Sequence, residues 1–476
     1  MLLGMLAVFA IALTATSVAG WREVDRVVDA FEEGGDLPAG LEKILATADE
    51  GEPQTIMLIG SDRRAKTAQD GSAGTGARSD TIILVRLDPS KEATALLSIP
   101  RDLKVQIPGY GTDKINAAYS AGGPELTLRT VKAVTGLSIN HVVNINFGGF
   151  RDAVNALGCA YVDIDRRYFN DNTSYAPDYA TIDVKPGYQR LCGGDALDYV
   201  RFRHDDTDIV RAARQQEFLR QMKQQIGITK LFERRSELIE IFGENTQSDI
   251  RGRAAVISLM KLAIAAAQHP FREIHFKGSL GASYVTASSK VMKDLAADFL
   301  GLKATSGPRG KARRQRNPGD RKNKPAPLGL EDAASEGKDQ ALQLVAQGAK
   351  FPVFFPRLRV QRAIYPGPPR YYKIGEGKKG KDRNWHPAYR IVVKRDLLGE
   401  YYGIQGTTWK DAPIFREVSE TRQIGNREYE LHYDGDRLRM VAWETDKAKY
   451  YVQNTLLQSL SEKQMLAIAR SARALG

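Results

Sequence analysis

The stretch Thr81–Asp102, TIILVRLDPSKEATALLSIPRD, decides how this chain folds. It holds two apolar runs of strand length, TIILVRLD (Thr81–Asp88) and ATALLSIP (Ala93–Pro100). Working outward, TIMLIGSD (Thr55–Asp62) and HVVNINF (His141–Phe147) are two more. Between them, INAAYSAGGPELTLRTVKAVTG (Ile115–Gly136) has a helical pattern with a Gly-Pro interruption. GGFRDAVNALG (Gly148–Gly158) opens and closes with glycine, as a short helix does. Strands rich in Ile, Val and Leu, alternating with helices in a βαβ-like order, predict an α/β fold: a mixed central β-sheet covered by helices on both faces.

Farther along, residues 201–227 read as a long helix, with more helical patterns through Leu300. Lys303–Pro327 (KATSGPRGKARRQRNPGDRKNKPAP) is basic, rich in Gly and Pro and nearly free of apolar residues, the composition of a disordered linker. Beyond it come aromatic, alternating strands and a closing helix whose Ser461 and Gln464 form a capping box. The expected organisation is a transmembrane anchor over 1–20, a helical stalk over 21–50, a catalytic α/β domain over 51–302, a basic linker over 303–334 and a smaller α+β domain over 335–476.

The bulk properties agree with two domains. The chain has 476 residues, 42% hydrophobic and 26% charged, enough apolar content for a sizeable core in each. A net charge of +12 favours polyanionic partners without choosing among them. The first twenty residues carry no charge, a length that crosses a bilayer once. Arg22 and Arg26 follow that run and no basic residue precedes it, so the positive-inside rule alone would place the body in the cytoplasm. Two cysteines, Cys159 and Cys192, fit either one disulfide in an exported protein or two buried thiols. There is no CxxC pair or histidine cluster, which argues against a zinc site.

Four clusters can carry chemistry. The first is Arg78-Ser79-Asp80-Thr81 at the entrance to a strand, and the second is Ser98-Ile99-Pro100-Arg101-Asp102 at the end of another. Two aspartates arriving at strand termini beside arginines can hold Mg²⁺, a hard cation that favours carboxylate and phosphate oxygens; each aspartate can equally pair with its neighbouring arginine and cap a turn. The third cluster places Lys114 and Asn116 at a helix start, where backbone amides favour an anion. A solvated surface lysine is the plainer reading there.

The fourth is YVRFRHDDTDIVRAARQQ (Tyr199–Gln216). Taken as an extended segment, it turns Arg201 and Arg203 to one side and sends Val200 and Phe202 into the core. After the acidic turn, Arg211, Arg214, Gln215 and Phe218 fall on one helical stripe. Converging arginines repel unless an anion lies between them, and guanidinium forks suit a diphosphate. The alternative is a salt-bridge lattice with Asp205, Asp206 and Asp208. His204, beside three carboxylates, is a minor candidate for a general base.

These clusters, in this order, resemble the LytR–CpsA–Psr family of bacterial cell-envelope phosphotransferases over about Gln54–Leu300. The resemblance implies a membrane-anchored enzyme with its catalytic domain outside the membrane. It would move a glycopolymer from a polyprenyl diphosphate carrier to peptidoglycan, with Mg²⁺ as cofactor. Asp80 and Asp102 would be the metal-associated acids, with Arg101 and Arg203 beside them in catalysis. Arg78, Lys114, Arg201, Asp208, Arg211, Arg214 and Gln215 would bind the diphosphate, and Cys159 and Cys192 would form a disulfide. Wall polymers or anionic lipids, and not nucleic acid, are the expected partners of the basic linker. Two other functions stay open on the sequence: hydrolysis of the lipid diphosphate, and passive binding of polyprenyl phosphate without turnover.

Overall fold

The computed structural model describes residues 25–30, 37, 40–49, 51–61, 79–91, 94–173, 181–202, 206–226, 230, 233–251, 254–259, 262, 271–276, 278–281, 283–302, 329–377, 384–395 and 400–475. The chain divides into two compact units. One comprises Met1–Ala160, Leu191–Arg203 and Thr207–Ser306; the other comprises Tyr161–Arg190, His204–Asp206 and Gly307–Gly476. The apolar 1–20 run and most of the basic linker lie outside the described residues. Among the described residues no helix is long and apolar enough to cross a membrane.

The first unit is built on a six-stranded sheet. Its strands are β1 (Gln54–Ser61), β2 (Ser79–Leu87), β3 (Thr94–Ile99), β4 (His141–Asn146), β5 (Thr246–Ser248) and β6 (Phe271–Ile274), in the spatial order β5-β4-β1-β2-β3-β6. β1, β2 and β3 pair antiparallel, while β1 with β4 and β3 with β6 are parallel. The sheet is mixed, as expected, and β2 and β3 are joined directly as an antiparallel pair. The connection from Asp88 to Ala93 is too short to carry a crossover helix, so the second strand turns back on the first.

Both faces are covered. Met57, Ile59, Ile82, Leu84, Ala95, Leu97 and Ile99 pack against helix α1 (Ile115–Thr135) and against Met292, Leu295 and Phe299 of a later helix, Ser289–Phe299. α1 is broken at Gly122 and Gly123, where the backbone leaves helical geometry ahead of Pro124, as the Gly-Pro interruption predicted. Leu41 from the segment before β1 is buried in the same core. Ile56, Leu58, Ile83, Val85, Leu96 and Ile145 are buried on the opposite face. That face meets α2 (Phe147–Ala156), α3 (Gly193–Arg201) and α4 (Asp208–Gln225).

α4 is polar in composition, yet Arg211, Gln215, Gln216, Glu217, Arg220 and Gln221 are all buried. Such a helix is stable only when its side chains find partners. Gln216 donates to the carbonyls of Leu96 (3.4 Å) and Ile274 (3.3 Å), and Arg220 pairs with Glu273 at 3.2 Å.

The second unit is a seven-stranded antiparallel sheet in the order Arg370–Glu376, Asn384–Lys394, Tyr401–Thr407, Lys449–Gln453, Arg437–Glu444, Arg427–Asp434 and Glu420–Ile424. Helices Ala334–Ala346 and Glu462–Ser471 supply Ala341, Leu344, Met465 and Ile468 to one face. The capping box at Ser461 and Gln464 is formed as read from the sequence. The other face is covered by Tyr161 and Tyr188 from the excursion Tyr161–Arg190, packed with Ile374, Ala388, Trp409, Met440 and Tyr451. Asp163 of this excursion forms an ion pair with Arg390 at 3.1 Å, with neither side chain exposed to solvent, and accepts a hydrogen bond from Tyr451 Oη at 3.1 Å. The Cys159–Cys192 disulfide closes the chain at the base of the excursion, its two cysteines 33 positions apart in sequence.

Candidate active site

The antiparallel register gathers the site. In β1 and β2, Gly60 lies opposite Thr81 and Ser61 opposite Ser79; in β2 and β3, Ile82 lies opposite Ile99. β4 runs parallel to β1 and sets Asn146 beside Ser61. The start of β2 therefore shares one sheet edge with the ends of β1, β3 and β4. The backbone of Asp80 and the turn carrying Arg101 and Asp102 meet there, although twenty residues of chain separate them. Below the edge a buried polar chain fixes the strands: Ser61 Oγ donates to Asn144 Oδ1 (3.0 Å), and Asn144 Nδ2 donates to Tyr119 Oη (2.9 Å).

Five of the expected site residues form one continuous chain of charges. Lys114 Nζ lies 3.1 Å from Asp102 Oδ1, and Arg101 Nε lies 3.8 Å from the same oxygen. The Asp102 amide donates to Asp208 Oδ2 at 3.1 Å, and Asp208 in turn pairs with Arg211. Lys114 is held because it immediately precedes α1, and the Arg101 carbonyl accepts from the Asn116 amide at 3.1 Å. Asp208 opens α4 behind Thr207, whose hydroxyl caps the helix. Burial pushes the Asp208 carboxyl above its ordinary value; Arg211 opposes the shift and the charge of nearby Asp102 adds to it.

Beside this chain lies an apolar cavity of about 430 Å³, open solvent at its mouth included. Phe147, Phe150, Leu197, Val200, Phe218 and Leu219 form its greasy wall, and Thr81, Asn146, Arg201 and Gln215 its polar lining. Gln215 Nε2 donates to Thr81 Oγ1 (3.0 Å) and to the Val200 carbonyl (3.2 Å), joining β2, α3 and α4. Arg201 sits over the Phe147 ring, 4.0 Å from its centroid. Arg211 lies one helical turn before Gln215, so the charged chain and the cavity share a face of α4. An apolar slot flanked by cations and carboxylates can hold an amphiphilic anion: the tail in the slot, the charged head among the basic residues.

The structure differs from the sequence reading at the fourth cluster. Arg201 is not on an extended segment; it is the last residue of α3, and the chain becomes extended only at Phe202. Gly193 permits this helix, because a Cβ there would meet the Arg151 carbonyl oxygen of α2 at 2.4 Å. The tight crossing sets Leu197, Val200 and Arg201 along the cavity at i, i+3 and i+4, a spacing visible in the sequence once the segment is taken as helical. Arg214 is fully buried; it donates to the Phe202 carbonyl and packs over Tyr199 and Phe202, and it does not line the cavity. Arg78, Arg203 and His204 lie outside the described residues, as does the Asp80 side chain. The disulfide between Cys159 and Cys192 is present. The cavity's aromatic wall was not named from the sequence, although Phe218 stood on the arginine stripe.

The fold and this site define a class: an α/β domain with an apolar slot on the helix that also carries the chain of charges. The chain belongs to the LytR_cpsA_psr family, which it matches over residues 29–295. It is 32% identical over 203 residues to the polyisoprenyl-teichoic acid–peptidoglycan teichoic acid transferase TagU of Oceanobacillus iheyensis, covering 41% of this chain and 58% of that protein. It is 32% identical over 252 residues to TagV of Bacillus subtilis, a transferase of the same description, covering 51% of this chain and 62% of that protein. The chain thus spans less than two thirds of the length of these relatives. The crystal structure of B. subtilis TagV superposes with a TM-score of 0.41 at 27% identity, covering 53% of this chain and 98% of that one.

Proposed function

We propose that this chain transfers a glycopolymer from a polyprenyl diphosphate carrier to peptidoglycan, outside the membrane and anchored to it by the apolar N-terminal run. The observation that carries the reading is the adjacency of the apolar cavity to the Lys114–Asp102–Asp208–Arg211 chain. The described relatives, named as transferases of teichoic acid from a polyisoprenyl carrier, support it.

In this mechanism the prenyl tail lies against Phe147, Phe150, Phe218 and Leu219, and Arg201, Arg211 and Lys114 hold the diphosphate. Asp208 accepts the Asp102 amide, and the negative charge of Asp102 adds to the upward shift of the Asp208 carboxyl. Carboxylate oxygens suit Mg²⁺, which Asp102 would hold together with Asp80; bound there, the cation would neutralise diphosphate oxygens. A peptidoglycan hydroxyl attacks the phosphorus that bears the glycan and forms the new O–P bond. The bond to polyprenyl phosphate breaks, and polyprenyl phosphate leaves with the electron pair. Asp80 or Asp102 would accept the hydroxyl proton. Phosphoryl transfer gains most from positioning and charge neutralisation.

The test incubates the full chain with a radiolabelled short-chain prenyl diphosphate glycan, peptidoglycan and Mg²⁺, alongside Arg201→Ala and Asp102→Ala. Label entering peptidoglycan, lost in both variants and on chelation, is the expected result. Release of free phosphorylated glycan in place of transfer would make the protein a hydrolase; tight binding with no product would make it a passive lipid binder.

A further inference from the structure

The hairpin between the second cluster and α1 carries a feature of which the transfer mechanism uses only Lys114. Strands Lys104–Ile107 and Gly111–Lys114 pair antiparallel, with Lys104 directly opposite Lys114. Like charges in that position destabilise a two-stranded ribbon. Lys114 is compensated by Asp102 at 3.1 Å. For Lys104, no carboxylate lies within ion-pair reach among the described residues. Asp113, next to Lys114, accepts the Lys114 amide (2.7 Å) and sits opposite Val105.

Both ammonium groups flank one aromatic ring. Tyr284 has Lys104 Nζ 5.3 Å and Lys114 Nζ 5.8 Å from its centroid. The ring is held in place by backbone, because the Val285 amide donates to the Asp102 carbonyl at 2.9 Å and Leu103 bridges to Val285. The segment that carries the catalytic candidate Asp102 thus also fixes Tyr284 beside the two lysines. Two cations that would otherwise repel, set around an amphipathic ring, have the composition of a site for a sugar carrying a negative substituent. The ring offers a face for the sugar and the lysines offer point charges for a phosphate.

We propose that Lys104, Tyr284 and Lys114 form a second anion subsite, which takes a phosphodiester on the glycan part of the donor and makes the chain prefer phosphorylated over neutral polymers. This deepens the transfer reading and rests on it. Lys114 then serves both subsites, bridging the diphosphate and the glycan, while Lys104 serves the glycan alone.

Two short-chain prenyl diphosphate disaccharides test it, identical except that one bears a glycerol phosphate. The full chain, Lys104→Gln, Lys104→Arg and Tyr284→Leu are each compared on both, by kcat/KM and by equilibrium Kd. The ratio of phosphorylated to neutral donor is expected to exceed one in the native chain. One partly exposed charge contributes about 1 kcal/mol, so Lys104→Gln is expected to lower the ratio about fivefold. Lys104→Arg keeps the ratio, Tyr284→Leu lowers it, and salt erodes it. An unchanged ratio in Lys104→Gln overturns the subsite, whether or not transfer occurs, because Kd alone carries it. Binding of both donors without transfer, with the ratio still falling in Lys104→Gln, would sink the transfer reading and keep the subsite. No binding of either donor would overturn both.

Discussion

Arg211 and Arg390 are both withdrawn from solvent and each faces an aspartate, yet their surroundings differ. Asp208, the partner of Arg211, also accepts the Asp102 amide, and through Asp102 the chain of charges reaches Lys114, whose side chain is 30% exposed. Asp163, the partner of Arg390, offers both its oxygens to that guanidinium and accepts from Tyr451 under a layer of tyrosines. Both side chains of the pair are closed off from solvent, and Tyr188 and Tyr451 are among the fully buried side chains of this unit. In the proposed mechanism the first arrangement presents charge to a ligand. The second spends charge on joining the Tyr161–Arg190 excursion to a sheet more than two hundred residues away in sequence.

The comparison can be broken most decisively at the second unit. Arg390→Met strands the Asp163 carboxylate in an apolar layer and should cost about 3–5 kcal/mol of that unit's stability. Arg390 Nε and Nη2 lack a hydrogen-bond partner among the described residues, so pairing Arg390→Met with Asp163→Leu should recover part of the loss. Denaturant midpoints read both, and an unchanged single variant would mean that the pair joins nothing.

Removing the disulfide by Cys159→Ser with Cys192→Ser comes next. The 33-residue loop it closes corresponds to about 3–4 kcal/mol in the chain-entropy account. The loss should appear when oxidised native protein is compared with the variant, and should vanish when both are measured in reductant.

At the open site the same kind of truncation should act on rate. Arg201→Ala and Asp102→Ala are expected to raise the transfer barrier by about 2–4 kcal/mol each, while shifting the melting temperature far less than Arg390→Met does. A large stability loss with unchanged turnover would reverse the roles assigned to the two clusters.

The smallest effect concerns pH. Burial holds His432 below its ordinary pKa, with Glu430 opposing, and its Nδ1 lies 2.7 Å from the Glu417 carbonyl. A histidine depressed in the folded state leaves the unfolded chain binding more protons as pH falls. Its contribution is therefore intact above pH 6.5 and lost below it, by at most about 1.4 kcal/mol per pH unit. His432→Gln should flatten the stability profile of this unit between pH 7 and 5; an unchanged slope would assign the acid sensitivity elsewhere.

Much of this was readable along the chain. The runs at Thr55, Thr81, Ala93 and His141 became strands because continuous β-branched and leucine content suits a sheet buried on both faces. Asn116, the Gly122–Pro124 break and the Ser461 cap fell where local chemistry put them, since caps and breaks depend on neighbours a few residues away. Arg201 was misread as extended for the complementary reason. GGDALDYVR begins with two glycines, which disfavour a helix, and its helix packs against α2, which Gly193 lets approach closely.

The sequence by itself determined the strands, the helix ends and which charged residues were candidates, because periodicity and capping are local. Only the tertiary structure decided which candidates meet. Antiparallel pairing carried the start of β2 to the end of β3, α4 turned Arg211 to Asp208 and Arg214 to the Phe202 carbonyl, and Asp163 met Arg390 across 227 residues of sequence. Those outcomes depend on register and on long-range burial, where the partner of a charge is set by packing and not by its distance along the chain.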